Sequence, residues 1–360
     1  MQVGTIRSVP TLRGVQLPHR PEATTQDRFE SSSPSLRQAF EGIVHPSSQA
    51  KVTLLSDNIE AWNARWKLTE SAQQSIHAQY YTWDHDIFGM AQLGQIFHKA
   101  RQGVEVRLMV DAVGDTFGTR GFKSHRGGKD FLQEVVALPS AEAKVYHPHY
   151  KKIASALLNP TGLEGIAANH DKILEVDGKA ASVGGRNTGH HYFLHAKDDP
   201  KAWRDVDVLV RGEEVASELR QAVDEEFDKG WIHHTVQPDL LGNWKKRDAE
   251  LLGAHAMMDL WLKAPVPSDS EKAQLREQES VREERAQDLV VQATSRLRGE
   301  GFDRKLSGRE QKALQEMALE LVAYPELCGS YHKKAGREIE AQVKIVDSHS
   351  AVGAGRNEIN

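Results

Sequence analysis

Residues 169–187 read NHDKILEVDGKAASVGGRN, and the rest of the 360-residue chain is read outward from them. The spacing predicts a strand over 170–176, a two-residue turn at Asp177-Gly178 and a returning strand over 179–183. Side chains two apart on a strand share a face, so His170 and Lys172 point the same way, with Leu174 and Val176 behind them. In the simplest register His170 lies opposite Gly185 and Lys172 opposite Val183, which leaves the space before the histidine free of bulk. Glycines such as Gly184 and Gly185 let a backbone approach an anion, Lys172 supplies a compact positive charge, and Asn187 adds an amide donor. These residues describe a phosphate seat beside a nucleophile, because a neutral imidazole has a free nitrogen that can attack phosphorus.

The composition sets the frame. With 39% hydrophobic and 27% charged residues the chain can build one large or two ordinary domains. Its net charge of -5 gives no global electrostatic reason to bind nucleic acid. The single cysteine, Cys328, excludes an intrachain disulfide, and no Cys/His spacing resembles a zinc site. The pairs His190-His191 and His233-His234 read as surface or loop material. No apolar run is long enough to cross a bilayer and the N-terminus lacks a signal-peptide pattern, so the expectation is a cytoplasmic or peripheral membrane protein.

Residues 1–50 are rich in Ser, Pro, Arg and Gln and are expected to be a disordered leader. Order is expected from residue 51: a strand through VTLL, a helix through Ile59, Trp62, Trp66 and Leu68, then the strand SIHAQYYTW. A helix from Gly89 to a stop at Gly103 and the strand VEVRLMVD follow. Beyond 187 come a strand within DVDVLV and a helix from Glu213. This alternation predicts an α/β fold with a mixed, mostly parallel sheet flanked by helices and ligands gathered at the carboxyl ends of the strands. The acidic loops Asp84 to Asp86 and Asp111 to Asp115 fall at those ends, where helix capping and function both suit them.

The pattern HxKxxxxDxxxxxxGGxN, carried by His170, Lys172, Asp177, Gly184, Gly185 and Asn187, resembles the signature of the phospholipase D superfamily. The stretches QYYTWDHDIFG, GVEVRLMVDAVGD, GGRNTGHHY and WRDVDVLVRGEEV are similar to those of cardiolipin synthase-type members. The resemblance implies His170 as nucleophile, and Lys172, Asn187 and groups near Gly184 and Gly185 as the phosphate site. It further implies an acid downstream that orients the histidine, at Asp205, with Asp207 as competitor. Asp177 belongs to the motif's catalytic set, although a turn alone explains an aspartate there. No metal or other cofactor is implied. The implied substrate is a phospholipid, hydrolysed or transferred through a phosphohistidine; a superfamily nuclease and an inactive phosphate- or partner-binding half-module are the alternatives.

From about 236 to 335 the chain turns helical and highly charged, centred on SDSEKAQLREQESVREERAQDLVVQATSRLRGE, and reads as an insert or linker. Leu289, Val290, Ala293 and Leu297 suggest a docking stripe for a partner. The resemblance implies two motifs, one histidine acting as nucleophile and the other as general acid, whereas this sequence has one. Laid against the motif, the tail EAQVKIVDSHSAVGAGRN puts Glu340 at the place of His170 and Gln342 at that of Lys172. The preferred expectation is that VKIVD opens a second, truncated half-domain over 336–360, following a catalytic half over 51–235. A second half or a homodimer partner would then complete the site.

Overall fold

Glu105 to Asp111 lies between Ser75 to Tyr80 on one side and Ala141 to Tyr146 on the other, and the candidate site is at the carboxyl ends of these parallel strands. The computed structural model describes residues 35–43, 46–117, 130–148, 150–151, 168–229, 233–239, 247–333 and 335–345. Residues 1–44 and 45–360 form separate compact units. In the first, helix α1 (Leu36–Gly42) is closed by a capping box between Ser35 and Gln38, so part of the expected leader has structure.

The second unit opens with β1 (Ser48–Leu55), α2 (Asn58–Ser71, capped by Asp57), β2 (Ser75–Tyr80), α3 (Ile87–Arg101, capped by Asp86) and β3 (Glu105–Asp111). Next come α4 (Ala112–Phe117), α5 (Phe131–Val135), β4 (Ala141–Tyr146), β5 (Ile173–Val176), β6 (Ala180–Gly184) and α6 (His190–Phe193). Then follow β7 (Asp207–Arg211), α7 (Glu213–Asp228), β8 (His234–Thr235), α8 (Asp248–Lys263), α9 (Asp269–Glu277), α10 (Glu279–Gly299), α11 (Gly308–Val322) and β9 (Glu338–Val343).

The nine strands of the described residues make one sheet in the order β8-β4-β3-β2-β5-β6-β7-β1-β9. Among the described strands, β2–β3 and β3–β4 pair parallel and every other neighbouring pair is antiparallel. The mixed α/β class is as expected, but the sheet is not mostly parallel. The β5–β6 hairpin forces reversal, and the long link from β6 to β7 returns as an antiparallel neighbour instead of crossing over.

One face of the sheet packs Ile76, Ala78, Val106, Leu108 and Leu174 beneath Trp62, Trp66, Phe88 and Trp261 of α2, α3 and α8. The other is covered by α7, whose Val215, Leu219 and Val223 meet Ala50, Ile173, Ala181 and Val210. The charged region is part of the larger core: Ala286, Leu289, Ala293 and Leu297 of α10 are buried in it, so the expected docking stripe is occupied by the chain itself. Likewise β9 pairs with β1 as an edge of this sheet, and Val343 and Ile345 pack on its Ala50 face. The boundaries expected at 235 and 335 do not separate compact units. Asp347 to Asn357 lie outside the described residues, as does Trp231.

Candidate active site

The hairpin runs antiparallel to β2, with Ile173 opposite Gln79, so the residues leading into β5 arrive at the carboxyl end of β2 and β3. Asp111, buried at the end of β3, fixes that arrival. Its Oδ1 accepts the N–H groups of Val113 (2.7 Å) and Gly114 (3.0 Å), and its Oδ2 accepts that of Asn169 (2.7 Å). Asn169 in turn accepts the N–H of Asp171 at 3.0 Å, an Asx turn that delays the strand. Regular pairing therefore begins at Ile173 and not at His170.

His170 is exposed, with its ring centroid 4.7 Å from that of Tyr81. Lys172 is buried; its ammonium donates to the His170 carbonyl and lies 5.4 Å from the Tyr81 ring centroid. Desolvation, reinforced by the Lys172 charge, moves the imidazole below its ordinary value while Asp205 pulls the other way. Desolvation lowers Lys172 itself to about 8, against the opposing pull of Asp171, Asp205 and Asp111. At pH 7 the histidine is thus predominantly neutral, and a lysine of that pKa is still about 90% protonated. The pair combines a free lone pair with a nearby positive charge. Among the described residues, none of the interaction partners of His170 is a second histidine.

The turn differs from expectation by one residue. Asp177 (φ 59°) and Gly178 (φ 68°) both adopt left-handed backbone, and Lys179 is an additional loop residue before Val176 pairs with Ala180. Ile173 therefore faces Val183, and the Gly184 N–H reaches the Lys172 carbonyl at 3.3 Å, so a glycine and not Val183 stands across from the lysine. Both glycines are required by close approach. A methyl group at Gly185 would lie 1.9 Å from Asp205 Oδ1, and one at Gly184 would lie 2.3 Å from Asp207 Oδ1.

The two acids separate cleanly. Asp205 is half-buried, receives the N–H of Val206 at 2.8 Å and acts electrostatically on both His170 and Lys172. Asp207 is buried, 3.6 Å from Arg65 and 3.7 Å from Arg186, and accepts the Arg186 N–H at 3.1 Å. Asp205 is thus placed to act on the imidazole, whereas Asp207 anchors the loop. Those arginines were not anticipated. Arg65 donates to the carbonyls of Arg186 (2.9 Å) and Asn187 (3.1 Å), and Arg186 to the carbonyls of Leu55 (2.9 Å) and Tyr192 (3.2 Å). Arg186 lies inside the quoted motif and offered a signal; Arg65, on α2, offered none.

Asn187 comes to the same rim, but its amide is engaged at both ends: the oxygen accepts the Thr82 N–H at 2.9 Å, and the nitrogen donates to Tyr192 Oη at 2.8 Å. Asp177 does not join His170 and Lys172. It sits at the opposite end of the hairpin, accepting N–H groups of Gln73 (2.9 Å), Gln74 (2.7 Å) and Ser75 (2.9 Å). The histidine pairs also differ from surface material. His233 is buried against the Glu226 carbonyl, and burial lowers it to about 4; His190 and His191 share carboxylate partners.

No family model matches the sequence. It is 29% identical over 195 residues to cardiolipin synthase C of Escherichia coli strain K12, covering 54% of this chain and 37% of that one. It is 33% identical over 183 residues to the cardiolipin synthase of Geobacillus kaustophilus, covering 51% and 33%. The chain thus spans about a third of the length of these curated relatives. Among solved structures, the phospholipase D family member Nuc from Salmonella typhimurium aligns with TM-score 0.35 and 14% identity, over 53% of this chain and 99% of that one. The complete motif and these sequence matches support a phospholipase D superfamily, cardiolipin synthase-like assignment.

Proposed function

We propose that the chain carries one half of a phospholipase D-type active site that processes phospholipids by hydrolysis or phosphatidyl transfer. The observation that carries the reading is the exposed His170 beside the buried Lys172 ammonium, with Asp205 closed over Gly185 behind them. A neutral imidazole nitrogen attacks phosphorus and the bond to the leaving alcohol breaks, giving a phosphohistidine. Lys172 and backbone N–H groups of the glycine loop stabilise the charge on the phosphoryl oxygens. Asp205 orients the imidazole and stabilises its positive charge. Asn187 holds the loop and has only its second amide hydrogen left for a phosphate. A general acid from a second half or a second copy of the chain protonates the departing alcohol and then activates water or an acceptor alcohol.

The test is intact-protein mass spectrometry after brief incubation with phosphatidylglycerol, quenched so that phosphohistidine survives. A lipid-phosphate adduct on His170, absent from His170→Ala, supports the reading, and its concentration dependence tells whether a second copy is needed. Turnover retained in His170→Ala overturns it. Vesicle binding without adduct or product over a range of concentrations favours a phosphate-binding half-module instead, and salt-sensitive DNA or RNA cleavage favours a nuclease.

A further inference from the structure

Just past the motif, the loop entering α6 brings two histidines and two carboxylates together at a place that the phosphate chemistry does not use. Asp86, the N-cap of α3, accepts the Gly89 N–H at Oδ1 (2.9 Å) and, at Oδ2, both the His190 N–H (2.6 Å) and the His190 Nδ1 (2.8 Å). A carboxylate only accepts, so Nδ1 carries a proton, and Nε2 is the nitrogen through which a neutral His190 ring can bind an ion. That Nε2 is 3.8 Å from Asp199 Oδ2, and the same oxygen is 2.5 Å from His191 Nδ1. The other Asp199 oxygen is fixed by the Lys201 N–H at 2.9 Å. The side chains of His190, His191 and Asp199 are 27%, 29% and 13% exposed, so the group is open to solvent yet held in place.

We infer that His190 Nε2, His191 Nδ1 and Asp199 Oδ2 form a binding site for a divalent transition-metal ion of the zinc type. One donor atom from each of the three residues lies within 4.8 Å of the other two, and donors around a tetrahedral zinc at its usual bond lengths are about 3.3 Å apart. A simple surface ion pair needs one histidine and one carboxylate. Here one ring is fixed by Asp86 through one nitrogen and offers the other to a carboxylate already shared with the next histidine. A carboxylate behind a metal-binding histidine is what fixes its tautomer and raises its basicity. The ion takes the place of the hydrogen bond now between His191 Nδ1 and Asp199, and the neutral His191 ring that ligates through Nδ1 carries its single proton on Nε2. The fourth position is open to water. The site would tie α6, immediately after the glycine loop, to the loop at Asp199, independently of whether His170 acts on lipid.

The experiment is titration of the metal-stripped full chain with Zn²⁺ by calorimetry and with Co²⁺ by visible absorption. One ion per chain is expected, with an intense tetrahedral cobalt spectrum that is lost in His191→Gln and in Asp199→Asn. Asp86→Asn, which leaves all three ligands in place, is expected to weaken binding about 10–100-fold. If either ligand variant fails to fold by circular dichroism, the Asp86→Asn shift decides alone. No stoichiometric binding, or binding unchanged in the folded variants, overturns the inference.

Discussion

The two ends of the β5–β6 hairpin are held in opposite ways. At the turn, the Asp177 carboxylate is saturated by the backbone N–H groups of Gln73, Gln74 and Ser75, and nothing there is left to react. At the open end, a lysine is buried with its ammonium on a carbonyl, and an exposed histidine leans on a tyrosine ring. A motif that reads as one unit in sequence therefore joins an architectural residue to the pair proposed to react, and each end is expected to respond differently when cut. His170→Ala is the largest break. Adduct formation or turnover is expected to fall by at least about 10³-fold, as for removal of a nucleophile, with an unchanged melting temperature because the ring is exposed.

Lys172→Met sharpens the contrast, because the open end gives up stability for charge. In the unfolded chain Lys172 titrates near 10.5 and in the fold near 8, so between those values the unfolded chain holds a proton that the fold has released. Stability therefore rises with pH through that window, and the cost is fully present below about 8. Methionine should raise stability at pH 7 by up to about 3 kcal/mol while lowering activity by about 10³-fold, the stability gain vanishing by about pH 10.5. Denaturant melts of both proteins at pH 7 and pH 10 measure it. At the turn the sign reverses: Asp177→Ala leaves the three amides without their acceptor and should cost about 2–4 kcal/mol, with activity per folded molecule retained. A large loss of activity in folded Asp177→Ala would return that residue to the chemistry.

How much of this could be read in the sequence follows the same division between local and distant. The hairpin and the strands on either side are local patterns, and the structure has them close to where the spacing predicts, with regular pairing beginning at Ile173. The resemblance singles out Asp205 with Asp207 as competitor, and the two differ physically in that Arg65 and Arg186 hold Asp207. The register was missed by one residue because Asp177 and Gly178 both turn left-handed and the loop admits Lys179. Strand direction was missed because residues 185–206 are long enough for a crossover yet fold back through α6. The pairing of His190 with Asp86 spans 104 positions, a separation that no local periodicity reports. Charge concealed the role of α10, in which Ala286, Leu289, Ala293 and Leu297 are buried at a spacing of three or four.

The smallest effects test the comparison most finely, since the same substitution can be made at both ends. At Gly178 a methyl group meets nothing nearer than Ser217 Oγ at 3.7 Å, so Gly178→Ala carries only the cost of a left-handed backbone, φ 68°. That is about 1 kcal/mol, with no change in chemistry. At Gly185 the added methyl would sit 1.9 Å from Asp205 Oδ1, so the carboxylate must swing away from the imidazole. Gly185→Ala should therefore cost about 10²-fold in activity, as expected when an orienting group is displaced by about an ångström. Its readout is the split between the two variants: a lower melting temperature with normal turnover for Gly178→Ala, and slowed turnover in a folded protein for Gly185→Ala. Equal effects on turnover would mean that the hairpin transmits strain along its whole length, and the independence of its two ends would be lost.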